Sequence, residues 1–396
     1  MPDALSDEPL YLGGATLVGP ERMVDGAALV LRHGLIEAIV PAGEVPSSAQ
    51  LVDLDGKLVI PGLIDIHAHG GGGCSFDDPD PQAHQEVLRF HARHGVTTMQ
   101  ASLVSAFPDD LERRLDALAI TFETPSTGAH LFGVHLEGPH LAVQQCGAHD
   151  PAALRPPAPG EAERLLARPG LIRMVTVAPE LDGVPEFVRR LADAGVVVAA
   201  GHSEARAPEL AVAVGNGLSH LTHLWSCQSA LVRRGPWRVP GLIEESLASD
   251  HLTAEIIADG HHLPATLIEI ARRCLSDRLV AISDATEGAG MPDGYRYRLG
   301  AVECEVADGV GKLVGVDAFG GSVTPLDGML AHLHHTLGWP LPEAVAATST
   351  RPARILDLAD RKGRLAPGYD ADLAILDADL KVQATLRAGA WIHQTP

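Results

Sequence analysis

The chain has 396 residues, 46% of them hydrophobic and 20% charged, an ordinary globular balance that allows a large core. Asp and Glu number 51 against 30 Lys and Arg, a net charge of −21, which argues against nucleic acid or an anionic membrane as the main partner because phosphate surfaces demand clustered base. Five cysteines (Cys74, Cys146, Cys227, Cys274, Cys304) are scattered without C-x-x-C spacing, no apolar run has membrane-span length, and the stretch 1–9 carries Asp3, Asp7 and Glu8 but no basic residue, so a soluble, cytoplasmic protein with reduced thiols is expected.

In chain order, the short alternating pieces 10–18, 27–32 and 35–40, separated by Gly, Pro and Asp, predict strands. From residue 58 onward, apolar runs of strand length alternate with amphipathic stretches, the pattern of repeated βα units on a parallel sheet. The expected strands are 58–65, 96–104, 130–136, 172–177, 196–200, 218–222, 253–257 and 279–283. Helices are expected over 82–94, 108–122, 185–194 and 263–275. Eight strands predict a TIM-type (β/α)₈ barrel, although a doubly wound sheet shares the pattern. The Pro-rich loop 155–160 reads as a barrel excursion rather than a linker. At the far end GRLAPGY leads into strand-like 371–376 and 381–388. Two β-rich ends predict one small β-sandwich domain built from 1–58 and 357–396, around a catalytic barrel at 59–356.

Barrel enzymes assemble their sites at the C-terminal ends of the strands, so the polar residues just past each expected strand are the candidates. PGLIDIHAHGGGG places His67 and His69 past the first strand, and alternate residues of a strand share a face. Glu137 follows the third strand, His202 the fifth, His223 the sixth and Asp284 the eighth. Taken singly each has a bland reading: surface or capping histidines, a helix-start carboxylate, an N-cap. Six ligand-type side chains at equivalent heights around a ring instead predict a centre for one or two divalent ions. The glycines at 70–73 either let backbone approach that centre or form a plain flexible loop.

These strings, with HLEGPH followed by GAHDP, GHS, THL, IIADGHH and SDATEGAG, resemble the N-acetylglucosamine-6-phosphate deacetylase family of the amidohydrolase superfamily. The resemblance continues through GGS at 320–322, TSTRPARIL at 348–356 and GRLAPGYDADLAILD at 363–377, and so covers almost the whole chain. It implies that Glu137 stands where many relatives place a carboxylated Lys, and that His202 and His223 complete one metal site. His67 and His69 leave a second site open. Zn²⁺ is the implied ion, with Fe²⁺, Mn²⁺ or Co²⁺ as alternatives. The implied reaction is attack of a metal-activated water on the acetamide of N-acetylglucosamine 6-phosphate, giving glucosamine 6-phosphate and acetate. Asp284 would take the water's proton and return it to the departing amine.

His149 in GAHDP and His262 in ADGHH match family positions that contact the sugar and the acetamide, although loop histidines bonded to backbone fit the same strings. His140, His220 and His261 receive no role. The family's phosphate string, Thr-His-Leu-Phe/Tyr-Asn-Ala-Met, is changed here to Thr222-His223-Leu224-Trp225-Ser226-Cys227-Gln228, so only the backbone amides around Ser226 and Cys227 remain for that task. The family also sends an Arg to the phosphate of the neighbouring subunit's substrate, which implies a homodimer. Arg238 in RVPGL is the favoured candidate and Arg234 the alternative. Competing readings are an amidohydrolase with the same metal site acting on another N-acyl sugar, an N-acyl amino acid or a cyclic amide, and a barrel that binds without catalysis.

Overall fold

The computed structural model describes residues 7–395; residues 1–6 of the acidic N-terminal stretch, Asp3 among them, and residue 396 lie outside it. Eight strands form one sheet in unbroken chain order: β1 (Leu63–Asp65), β2 (Val96–Val104), β3 (His130–Glu137), β4 (Ile172–Val177), β5 (Val197–Ala200), β6 (His220–Leu221), β7 (Thr253–Ile257) and β8 (Leu279–Ile282). Every neighbouring pair is parallel. β8 returns to β1 through a bridge just past the strand ends, Ala68 with Ala285, and through the Ser283 N–H, which donates to the Asp65 carboxylate at 3.3 Å. Sequential parallel order with closure is the TIM-type barrel, not the doubly wound sheet.

The helices follow from local chemistry. α1 (Pro81–Arg93) starts at Asp80, whose carboxylate accepts the Gln82 N–H at 2.9 Å, and Pro81 fills the first helical position where no N–H is needed. α2 (Pro108–Glu123) likewise has Pro108 at its start and Asp109 and Asp110 in the first turn, where they complement the helix dipole. Its Leu111, Leu115 and Leu118 form a buried stripe at helical spacing. Truncating one of these, Leu115→Ala for example, would cost about 2–5 kcal/mol. On the inner side, all nine residues of β2 are buried, as a strand sandwiched between helices and a filled barrel must be.

The expected run 58–65 is divided at Gly62. Leu58–Pro61 pairs with Thr16–Val18 and with Leu373–Leu376 in a six-stranded terminal sheet, and only Leu63–Asp65 enters the barrel. A Cβ at Gly62 would lie 2.3 Å from the Thr97 side chain, so the crossing from one sheet to the other requires glycine. The six-stranded sheet shares a core with a four-stranded one (Leu35–Pro41, Ala27–Arg32, Leu10–Gly13, Gln50–Asp53), with Leu10, Leu29 and Leu31 packed among Val59, Leu373 and Ile375. Strands from both chain ends thus form the small sandwich.

Among the elements with no counterpart in the expectations are two β features near the barrel mouth or on its surface. An exposed hairpin pairs Val232–Arg234 with Trp237–Val239. A three-stranded sheet (Arg296–Leu299, Val302–Ala307, Val310–Leu313) follows β8 and brings Leu299 to the barrel mouth. Among the described residues no helix is long and apolar enough to cross a membrane.

Candidate metal centre

The strand ends deliver six buried side chains to one point. His67 and His69 leave β1 on the same side, and their Nε2 atoms are 3.2 Å apart. Glu137 closes β3 and sits in the middle. Its Oε1 is 2.8 Å from His223 Nε2 and 3.0 Å from His202 Nε2. Its Oε2 is 3.3 Å from His69 Nε2 and 3.7 Å from His67 Nε2. Across from it, Asp284 Oδ1 is 3.4 Å from Nε2 of both His67 and His69. His202 and Asp284 adopt left-handed backbone, each with φ 47°, and so do Trp225 and Cys227. Non-glycine residues there are strained by roughly 1–3 kcal/mol each, strain that collects at sites the surrounding fold over-determines.

The far ring nitrogens decide which atom each imidazole presents. His69 Nδ1 donates to the Ser102 carbonyl at 3.2 Å, His202 Nδ1 to the Gln145 carbonyl at 2.8 Å, and His67 Nδ1 to Glu255 Oε2 at 3.0 Å. Each therefore turns an Nε2 lone pair inward, as a metal ligand does. His149 is reversed. Its Nδ1 accepts the Ser105 N–H at 3.1 Å, so its Nε2 carries the proton and donates toward Glu137 Oε2 at 3.3 Å. It is a donor rather than a ligand.

The field at this point is strongly negative. Burial would push the His69 imidazole down, yet Asp284 and Glu137 raise it to about 9. Burial likewise opposes a charge on His202, and Glu137 overcomes it, holding the ring well above its ordinary range. Glu137 is itself pressed upward by burial and held well below the carboxylate range by His67 and His202. At His149 burial wins over Glu137, with His202 and His69 pushing the same way, so the ring falls to about 4 and stays a neutral N–H donor. A field that draws protons onto buried imidazoles favours a cation in their place. Two overlapping groups, His67/Glu137/His223 and His67/His69/Asp284, keep their ligand atoms within 4.8 Å of one another, and His202 lies as close to Glu137. Imidazole nitrogen with carboxylate oxygen is a donor set that fits divalent transition-metal ions.

Above the cluster opens a cavity of about 290 Å³, lined by Glu137, His149, His202, His223 and Asp284 and also by Ser226, Cys227 and His262. His262 donates through Nδ1 to Asp259 Oδ2 at 2.7 Å, which fixes its ring. Arg234 and Arg238 do not line the cavity of their own chain; both lie on the exposed hairpin, where Arg238 donates to the Pro236 carbonyl at 3.0 Å. The glycines at 70–73 pack elsewhere than the centre. A Cβ at Gly71 would strike the Phe90 ring at 2.3 Å and one at Gly70 the Cys74 carbonyl at 2.4 Å, so close packing against α1 and the turn at 74 demands them. Of the histidines left without a role, His140 bonds the Arg155 carbonyl, while His220 is engaged by Glu255.

Glu255 escaped the sequence reading, as did Asp65 and His135. Each is a polar side chain on the inward face of a barrel strand rather than past its end. His135 bonds Ser102 Oγ at 3.0 Å and Thr176 Oγ1 at 2.8 Å beneath the cluster. Burial raises the Asp65 carboxyl to about 6. A charged residue inside an apolar strand run is the signal that could have found Asp65 and Glu255.

The Amidohydrolase family model matches residues 58–392. N-acetylglucosamine-6-phosphate deacetylase of Mus musculus is 34% identical over 349 residues, covering 86% of this chain and 85% of that protein. N-acetylgalactosamine-6-phosphate deacetylase of Escherichia coli O157:H7 is 32% identical over 368 residues, covering 93% and 95%. A mutant N-acetyl-D-glucosamine-6-phosphate deacetylase from Mycobacterium smegmatis, solved in complex with N-acetyl-D-glucosamine-6-phosphate, superposes with a TM-score of 0.90 at 34% identity, covering 98% of this chain and 100% of that one.

Proposed function

Because the chain belongs to the amidohydrolase family, in its N-acetylglucosamine-6-phosphate deacetylase branch, we propose that it removes the acetyl group of N-acetylglucosamine 6-phosphate, releasing acetate and glucosamine 6-phosphate. One observation carries the reading: Glu137 turns one carboxylate oxygen to His202 and His223 and the other to His67 and His69, directly beneath the cavity. His67, His69, Glu137, His202, His223 and Asp284 would hold one or two divalent ions. Zn²⁺ suits these donors best, and Fe²⁺, Mn²⁺ or Co²⁺ fit the same set. When bound, such an ion supplies a water acidic enough to ionise near neutral pH and polarises the amide carbonyl.

The chain's own residues do the rest. Asp284 accepts the attacking water's proton and delivers it to the amine nitrogen, which leaves poorly unless protonated. His149, neutral and donating through Nε2, meets the carbonyl oxygen as negative charge develops on it. His262, steadied by Asp259, and the segment at Ser226 and Cys227 contact the sugar phosphate end. Arg238, with Arg234 as the alternative, reaches the phosphate from the second subunit of a homodimer. A cytoplasmic enzyme of amino-sugar breakdown is the setting this chemistry fits.

A second reading, an amidohydrolase of the same centre acting on an unphosphorylated N-acyl sugar, an N-acyl amino acid or a cyclic amide, is favoured by one observation: among the described residues no Arg or Lys lines the cavity. Acetate release from the 6-phosphates of N-acetylglucosamine and N-acetylgalactosamine, and from unphosphorylated N-acetylglucosamine, separates the two. The deacetylase reading expects a strong preference for a 6-phosphate by the metal-loaded enzyme. Preference for the unphosphorylated sugar, or no release from any of them, overturns it.

A further inference from the structure

Glu255 lies in the middle of β7, fully buried in the run Thr-Ala-Glu-Ile-Ile. A carboxylate in such a place is costly unless its oxygens are engaged, and here both are. Oε1 faces His220 Nε2 at 3.1 Å. Oε2 accepts from His67 Nδ1 at 3.0 Å and from the backbone N–H of His223 at 3.0 Å. One side chain thereby ties β7 to the ends of β1 and β6. Both halves of the cluster depend on it, but unequally. The His67 ring takes its orientation and tautomer from Glu255. At His223 only the backbone is held, and its Nδ1 has no partner among the described residues. His69 and His202 are anchored by main-chain carbonyls and do not involve it.

We infer that Glu255 is a positioning residue that aims His67 Nε2 at His69 and Asp284 and so makes that half of the centre able to hold a second divalent ion. The inference rests on the proposed function only in requiring a divalent-ion centre; it is indifferent to the substrate. Carboxylates that orient a ligating imidazole from behind typically govern about 10- to 100-fold in metal affinity. A glutamine at 255 keeps the volume but sets an amide N–H₂ against one of the N–H donors it faces.

The test is ion content of the full chain, wild type against Glu255→Gln, after reconstitution with Zn²⁺ and dialysis, with affinities from calorimetric titration with Zn²⁺ alone. Two ions per chain are expected in the wild type, and in Glu255→Gln one ion with the second weakened about 10- to 100-fold. A variant that keeps both ions at wild-type affinity overturns the inference, and so does a wild type that takes only one. If Glu255→Gln does not fold, the ring proton of His67 in the zinc-loaded wild type decides by nitrogen-edited magnetic resonance: a protected proton on Nδ1 is expected, and one on Nε2 overturns the assignment. The deacetylase reading fails in a different way, by silence in the acetate assay with ions bound.

Discussion

The backbone N–H of Asp284 donates to the carbonyl of His67 at 2.9 Å, across the seam where β8 meets β1. The His69 N–H crosses the same seam to the Ala285 carbonyl at 2.7 Å. Barrel closure and the convergence of three candidate ligands are therefore one structural event. Hydrogen bonds that complete the cylinder also fix the spacing of Asp284 from the two imidazoles.

That placement gives Asp284 a role beyond holding an ion. Asp284→Asn keeps the seam's backbone bond and an oxygen facing the cluster but cannot accept a proton. Turnover should fall by about 10²- to 10⁴-fold, the usual worth of a positioned acid-base group, while the ion held by Glu137, His202 and His223 stays bound. Full activity in Asp284→Asn with metal bound would remove the assigned role.

His149 is expected to act on the transition state. Replacing it by Ala removes the Nε2–H donor, and kcat should drop about 10²- to 10³-fold with KM nearly unchanged, as when an oxyanion donor is lost. If KM alone rises, His149 is a binding residue only. Because the ring is neutral in the folded chain, activity should also survive to pH values above 7 without loss of this donor.

Arg238 should govern the phosphate from across the subunit boundary. Losing one charged hydrogen bond, about 1.5–3 kcal/mol, would raise KM for the 6-phosphate roughly 10- to 100-fold in Arg238→Ala and leave an unphosphorylated substrate unaffected. Mixing Arg238→Ala with Asp284→Asn chains should restore activity at low substrate, because each hybrid dimer holds one site with both groups intact. No recovery on mixing, in chains that exchange, would place the Arg within its own subunit or out of the site. The same kinetics on Arg234→Ala distinguish the two arginines.

A pH prediction comes from outside the centre. His91 on α1 is fully buried and donates through Nε2 to the Gly70 carbonyl at 3.0 Å, and burial lowers it to about 4. In the unfolded chain it titrates near 6.5, so below that pH the unfolded state binds the extra proton. The stability linked to His91 is thus intact above pH 6.5 and is lost as pH falls toward 4, by an amount on the order of 3 kcal/mol. Thermal melts of His91→Gln, which can still donate to Gly70 but cannot titrate, should fall less steeply over this window than those of the wild type. Parallel slopes would contradict the assignment.

What was legible in the sequence follows a physical pattern. Strand ends announce themselves where an apolar run meets a polar residue, and for that reason His67, His69, Glu137, His202, His223 and Asp284 stood out together. Glu255 did not, because its partners lie on other segments of the chain, 188 residues away for the Glu255–His67 pair, and Asp65 did not, because the Ser283 N–H that it binds lies across the barrel seam. The passage of 58–65 between two sheets was hidden because apolar periodicity continues through Gly62, and only the nearness of Thr97 shows why glycine stands there. Hairpin 232–239 was missed for a different reason: its residues are mostly exposed, and an element that buries little leaves little pattern. Arg234 and Arg238 sit on that same hairpin, outside the lining of the cavity, so nothing in the pattern around them ties either one to the site.

Anomalous diffraction from crystals of the zinc-loaded protein, recorded on both sides of the zinc absorption edge, addresses the centre itself. Peaks are expected at bonding distance from Glu137, one shared with His202 and His223 and a second facing His67, His69 and Asp284. Zinc found only at other sites, with these side chains bare, would contradict the account.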